Sequence, residues 1–324
     1  MSSSTPRPPA SFTLNQFAIP LGIAGLGGAW AASENAVEAS PVVADVLFAI
    51  ATVLWATFAA GYVLQRFRHS GSFRADLTHP IVGPFAAYVP VIAVLLISRY
   101  AGFLGDFAPW FAAAFGAALL TVAAQLVGHW IIGDISIDTI HPGYFLPVVA
   151  GAFVASIAFS SSGLPEVAIA AFGIGIFFWL VIGTVVTGRL ITRGPLPDGV
   201  KPTLSVLLAP PAVGGIAWLL ISGGTANVVG YAFVGITVIL LAVQLVLLPN
   251  YLRLRPTLSF WAFTFPVAAT TNFAIRWWEI EPFPGSVTTT WVAVGLATAA
   301  VITVAFVTLA IPAIARGRRR GALR

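Results

Sequence analysis

No cysteine occurs in the 324 residues. Disulfides, thiolate metal sites and cysteine nucleophiles are therefore excluded, and cysteine usage says nothing about the compartment. Charge is also scarce. Asp, Glu, Lys and Arg make up 8% of the chain, against roughly 25% in a soluble globular domain. The sequence patterns GxxxxGKS/T, HExxH and CxxC are all missing, which argues against an enzyme and calls for no cofactor and no metal.

Hydrophobic residues fill the space that charge leaves, at 58% of the chain. That much apolar surface belongs in a bilayer, where one spanning helix needs about 20 apolar residues. Ten spans are expected, at roughly 12–33, 41–64, 81–97, 109–132, 144–160, 167–191, 203–221, 228–248, 258–277 and 287–314. They form one transmembrane domain over 12–315, flanked by an N-terminal tail (1–11) and a basic C-terminal tail (316–324). "GAWAAS" (28–33) has the look of a signal-peptidase site. The first span is read as retained, because the charge pattern requires it.

That pattern is one-sided. Of the 16 Lys and Arg residues, all but Arg99 and Arg276 fall in the N-terminus, in connectors after even-numbered spans or in the C-terminus. The positive-inside rule then puts both termini in the cytoplasm, in a plasma or bacterial inner membrane. The excess of positive charge is a topology signal of this kind, so nucleic acid is not expected as a partner. The tail "RGRRRGALR" is suited to anionic lipid. Arg276 and Glu279 are placed to pair locally at the outer end of span nine.

Prolines mark a hidden repeat. Pro20, Pro84 and Pro90, Pro147, Pro210 and Pro211, and Pro266 all lie inside odd-numbered spans. A proline there frees a carbonyl four residues back and needs neighbours or water to satisfy it. Four odd spans also open on a cationic or titratable residue before proline: His79-Pro80, His141-Pro142, Lys201-Pro202 and Arg255-Pro256. The chain therefore reads as five hairpins, each pairing a kinked helix with a straighter one. The simplest arrangement puts the kinked helices in an inner ring and the straighter ones outside, and the small residues after the kinks allow tight packing or equally a lumen. Away from their ends the odd spans hold no ionisable residue, which favours passive conduction over a proton-driven pump.

The stretches "FAIPLGIAGLGGAW", "HPGYFLPVVAGAFVAS", "TLSVLLAPPAVGGIAW" and "FWAFTFPVAATTNFA" carry a likeness. Together, in this order, the chain resembles the tellurite-resistance/dicarboxylate transporter family, of the TehA and slow anion channel type. The resemblance implies a ten-helix fold of five hairpins around a pore, homotrimeric assembly and an aromatic gate on the ninth helix. "WAFTFP" gives that gating position to Phe265, with Pro266 aiming the ring and Phe263 in reserve on another face. Pore-lining candidates are Pro20, Pro90, Pro147, Ser156, Pro211, Thr264, Thr270 and Thr271. His79, His141, Lys201 and Arg255 are candidates for a cationic cytoplasmic mouth. The expected activity is passive conduction of small anions. The alternative is a secondary transporter exporting C4-dicarboxylate, sulfite or another oxyanion.

Overall fold

The computed structural model describes residues 12–68 and 73–310. The two tails, 1–11 and 316–324, lie outside the described residues. All regular structure among the described residues is helical. The helices are α1 (Ala18–Val37), α2 (Pro41–Arg68), the short α3 (Phe73–Leu77), α4 (Tyr88–Leu104), α5 (Ala108–Ile132), α6 (Gly151–Ser161), α7 (Pro165–Thr192), α8 (Ala209–Ile221), α9 (Val228–Tyr251), α10 (Thr264–Ile280) and α11 (Ser286–Ala305).

Among the described residues, 8 helical stretches are able to cross a membrane by length and apolar composition. One of these, Gly83–Ile132, contains both α4 and α5. They meet at Gly105, whose φ of 52° is a backbone shape that glycine adopts without strain. α1 falls outside that count of apolar stretches. It is nevertheless 20 residues long and packs against both α2 and α10. The chain is a multi-pass, all-α membrane protein.

The prolines expected as mid-helix kinks sit at helix beginnings. A tight 3₁₀ turn precedes α1, α4, α8 and α10 at Leu14–Phe17, Gly83–Ala87, Lys201–Leu208 and Leu258–Phe263. In each case the α-helix then starts, with Pro20, Pro90, Pro211 or Pro266 as its third residue. In the first turn a missing N–H costs little. α6 is the variant, entered through a π turn at Leu146–Ala150 that holds Pro147.

Proline-bearing segments are also the buried ones. The most apolar window is 89% buried in Pro142–Ser161 and 67% in Lys201–Ile221. The corresponding shares are 17% in Pro41–Phe67, 17% in Pro165–Thr192 and 11% in Val228–Tyr251. Five antiparallel pairs pack directly: α1 with α2, α4 with α5, α6 with α7, α8 with α9 and α10 with α11. The first members of these pairs close a circle. α1 touches α4, α4 touches α6, α6 touches α8, α8 touches α10, and α10 returns to α1. Five apolar helices shielded by five lipid-exposed ones need no charged surface, and this is why 8% charge suffices.

Candidate functional site

Two cavities lie inside the circle. The wider, about 200 Å³, is bordered by residues of all five inner helices and by Phe48 of α2. Gly25 and Gly28, Leu95 and Arg99, Val154 and Ile157, Val213 and Ile216, and Phe265 and Asn272 are among its walls. The narrower, about 30 Å³, lies among the entry turns and first residues of the same helices, with Leu21, Tyr88, Leu146, Ala209 and Trp261 on its wall. Phe265 borders both cavities, and Pro266 borders the narrow one. The ring of Phe265 is only 8% exposed.

Local chemistry explains how the ring is held. Proline at 266 cannot donate to the carbonyl of Ala262. Ser205, from the 3₁₀ turn before α8, donates its hydroxyl to that carbonyl at 2.8 Å. The same hydroxyl lies 2.8 Å from Pro202 O, so its proton is shared. Thr264 closes the turn on its other side, with Oγ1 donating to Trp261 O at 2.7 Å. On the facing helix the positions opposite Thr264 and Phe265 are glycines. A Cβ on Gly22 would collide with Thr264 Oγ1, and one on Gly25 would meet Phe265 Cδ2 at 2.8 Å. The reserve residue, Phe263, borders neither cavity and packs on Tyr251 and Phe260 instead.

The expected pore-lining prolines and hydroxyls are elsewhere. None of Pro20, Pro90, Pro147, Ser156, Pro211, Thr264, Thr270 or Thr271 borders either axial cavity. Pro147 instead lines an apolar groove walled by α5, α6 and α7. Two of the four hydroxyls, those of Ser156 and Thr264, are taken by backbone carbonyls, as short polar side chains in helices commonly are. Ser156 donates to Ala168 O at 2.8 Å, which ties α6 to α7. Thr271 is buried, and Thr270 Oγ1 is buried without a hydrogen-bond partner. Apolar residues and glycines make up most of both walls, with the hydroxyls of Ser98 and Ser161 on the wider cavity and Thr203 on the narrower.

The charged and amide groups of the wider wall come from residues that sequence reasoning left at span ends. Arg99, Asn272 and Arg276 all border the wider cavity. Arg99 is neutralised by Glu34 at 3.2 Å and Asp45 at 2.6 Å. Arg276 donates Nε to Asn272 Oδ1 at 2.8 Å. The expected pairing with Glu279 is not made, and among the described residues Arg276 joins no ion pair. The signal that could have found them is spacing. Phe265, Ala269, Asn272 and Arg276 fall on one helical face, and all four border this cavity.

The four candidates for a cationic mouth divide. Arg255 is exposed. Lys201 is paired with Asp198 at 2.6 Å. His79 is exposed, and its Nδ1 accepts from the backbone N–H groups of Ile81 and Val82, at 3.2 Å each. His141 is buried, at 1% exposure, and does not reach a surface. Its Nδ1 accepts from Gly143 N at 3.1 Å, and its Nε2–H donates to Ile81 O at 3.1 Å. Burial pushes this imidazole down to about 4, the Ile81 carbonyl works against that, and the charge of Arg189 adds to it. His141 is therefore a neutral cap that joins two entry turns rather than a cation at a vestibule.

The sequence pattern of one protein family, described as Voltage-dependent anion channel, matches residues 11–311. The chain belongs to that family. A curated relative, the Tellurite resistance protein TehA homolog of Haemophilus influenzae, is 26% identical over 81% of this chain and 80% of its own length. The Guard cell S-type anion channel SLAC1 of Arabidopsis thaliana is 25% identical over 84% of this chain and 50% of its own length. The S-type anion channel SLAH2 of the same plant is 25% identical over 82% and 52%. The chain thus spans about half the length of these plant members of the voltage-dependent anion channel family. The resemblance seen in the four quoted stretches is borne out by these matches.

Proposed function

We propose that the protein is a passive anion channel of ten membrane crossings. Small anions pass along the axis of the five inner helices, and Phe265 closes the path. One observation carries this reading: a single aromatic ring borders both axial cavities, with all five inner helices around it. An apolar constriction of this kind gates by excluding water. The names of the relatives, an S-type anion channel among them, agree with anions as the permeating species.

Passive movement is favoured over coupled export by the cavity walls. Proton-coupled transport needs a titratable group along the path. Among the described residues no Asp, Glu or His borders either axial cavity. The positive-inside bias puts the narrow cavity toward the cytoplasm and the wide one toward the outside, in a plasma or inner membrane with both termini cytoplasmic. Arg255 and the N-terminal ends of the inner helices then favour anions at the cytoplasmic side. Homotrimeric assembly, implied by the resemblance, belongs to the same proposal. The testing experiment is anion flux in reconstituted vesicles with and without a pH gradient, at fixed membrane potential. Equal fluxes support the channel. Uphill movement driven by the pH gradient identifies a coupled exporter of dicarboxylate, sulfite or another oxyanion and overturns the proposal.

A further inference from the structure

The wide cavity is bordered by a cation that makes no contact ion pair, although the amino-acid sequence led to the expectation of an uncharged path. The two arginines on its wall differ in one respect. Arg99 has carboxylates on two sides, from Glu34 and Asp45. Arg276 has only the Asn272 amide, and no carboxylate among the described residues lies within ion-pair distance of it. Arg276 is half-buried, and the charge of Glu279 reaches it only across a distance longer than a contact ion pair; a cation held so loosely leaves room for a mobile anion.

The orientation of Asn272 follows from this contact. Arginine Nε can only donate, so the atom facing it is the amide oxygen. The amide nitrogen of Asn272 is therefore turned the other way, over Gly28, where a Cβ would stand 2.9 Å from Nδ2. Gly28 borders the cavity as well. The guanidinium Nη groups and the Asn272 NH₂ group are thus donors carried by two residues of one cavity wall, with Gly28 leaving room beside the amide. Donors without acceptors match an anion and repel a cation.

We propose that Arg276 and Asn272 form a binding subsite for a small inorganic anion of the chloride or nitrate class. The subsite lies about 16 Å along α10 from Phe265, at 1.5 Å of rise per residue. It is on the same helical face as the ring, so an ion held there is next in line for the constriction. Arg99 is a weaker holder, because its own carboxylates compete. For its role in conduction the inference rests on the channel reading; for binding it rests on the geometry alone.

The test uses full-length protein in detergent and in planar bilayers. Chloride or nitrate, replacing gluconate at constant ionic strength, is expected to raise the thermal unfolding temperature of the wild type, since a ligand that binds only the folded state stabilises it. The rise is expected to vanish in R276Q, to shrink in N272A and to survive in part in R276K. In F265A channels, chloride current is expected to saturate with external chloride. The half-saturating concentration is expected to increase about tenfold in F265A/R276Q, the scale of one lost hydrogen bond to a charged group. The thermal shift decides the subsite: its absence in the wild type, or its full survival in R276Q, overturns the proposal whatever the currents do. If R276Q does not fold, a full-sized shift in both N272A and R276K overturns it. A lost shift with no current through F265A leaves the subsite standing and sinks the channel reading.

Discussion

Phe265 lies against Gly25. A methyl group built on that glycine would come within 2.8 Å of ring carbon Cδ2. The gate candidate on α10 is thus seated in a notch that α1 provides by having no side chain there. Small residues permit such close helix approach in membranes. G25A is expected to overpack the site and to cost about 1–3 kcal/mol. Most of that loss should disappear when F265A removes the ring, because the two residues are in contact. Unfolding temperatures of the two single variants, the double variant and the wild type check this. Additive losses would show that the ring does not occupy the notch.

The Ser205 hydroxyl is the substitute for the bond that Pro266 cannot make. S205A leaves the Ala262 carbonyl without its partner, at a cost of about 1–3 kcal/mol. P266A restores a backbone N–H two turns into the segment, and with it a route to that carbonyl. The double variant S205A/P266A is therefore expected to be more stable than S205A alone. Thermal unfolding in one detergent compares them, and equal stability would mean that Ser205 serves Pro202 rather than the bend.

His141 gives a pH dependence with a definite sign. Its folded value, about 4, is below the ordinary histidine value of 6.5. Between those two values the unfolded chain binds the proton and the folded chain does not, so stability rises with pH across this window and falls on acidification. At most about 3–4 kcal/mol is involved, at 1.36 kcal/mol per pH unit over the interval between 6.5 and about 4. Unfolding temperature measured from pH 7 down to pH 4 should decline, and H141N should have a shallower decline. Identical slopes would assign the acid sensitivity to other groups.

Much of the architecture was legible because proline and charge report depth in the membrane. The odd-numbered prolines marked the buried helices, since freed backbone groups are tolerated only inside protein or along a cavity. Lys and Arg marked one set of connectors. Azimuth was not legible in the same way. Thr264 and Ser156 lay at the right depth for a pore, yet both hydroxyls turn to backbone carbonyls, a choice that a letter sequence does not display. Arg276 reads in the sequence as a local partner for Glu279 at a span end, but its position three turns beyond Phe265 on the same face brings it to the cavity wall. The prolines read as kinks in long helices because no residue pattern marks where a 3₁₀ turn gives way to an α-helix. His141, grouped with cations by its place before proline, is a neutral buried cap because two backbone groups claim its nitrogens.

In the proposed channel, ring 265 blocks the path between the two axial cavities that it borders. Planar-bilayer recording of wild type and F265A, at matched reconstituted amounts and symmetrical chloride, tests it most directly. The account predicts small or no current from the wild type and a large, anion-selective current from F265A. Currents from F265A no larger than the wild type's, with the variant folded and inserted, would contradict it.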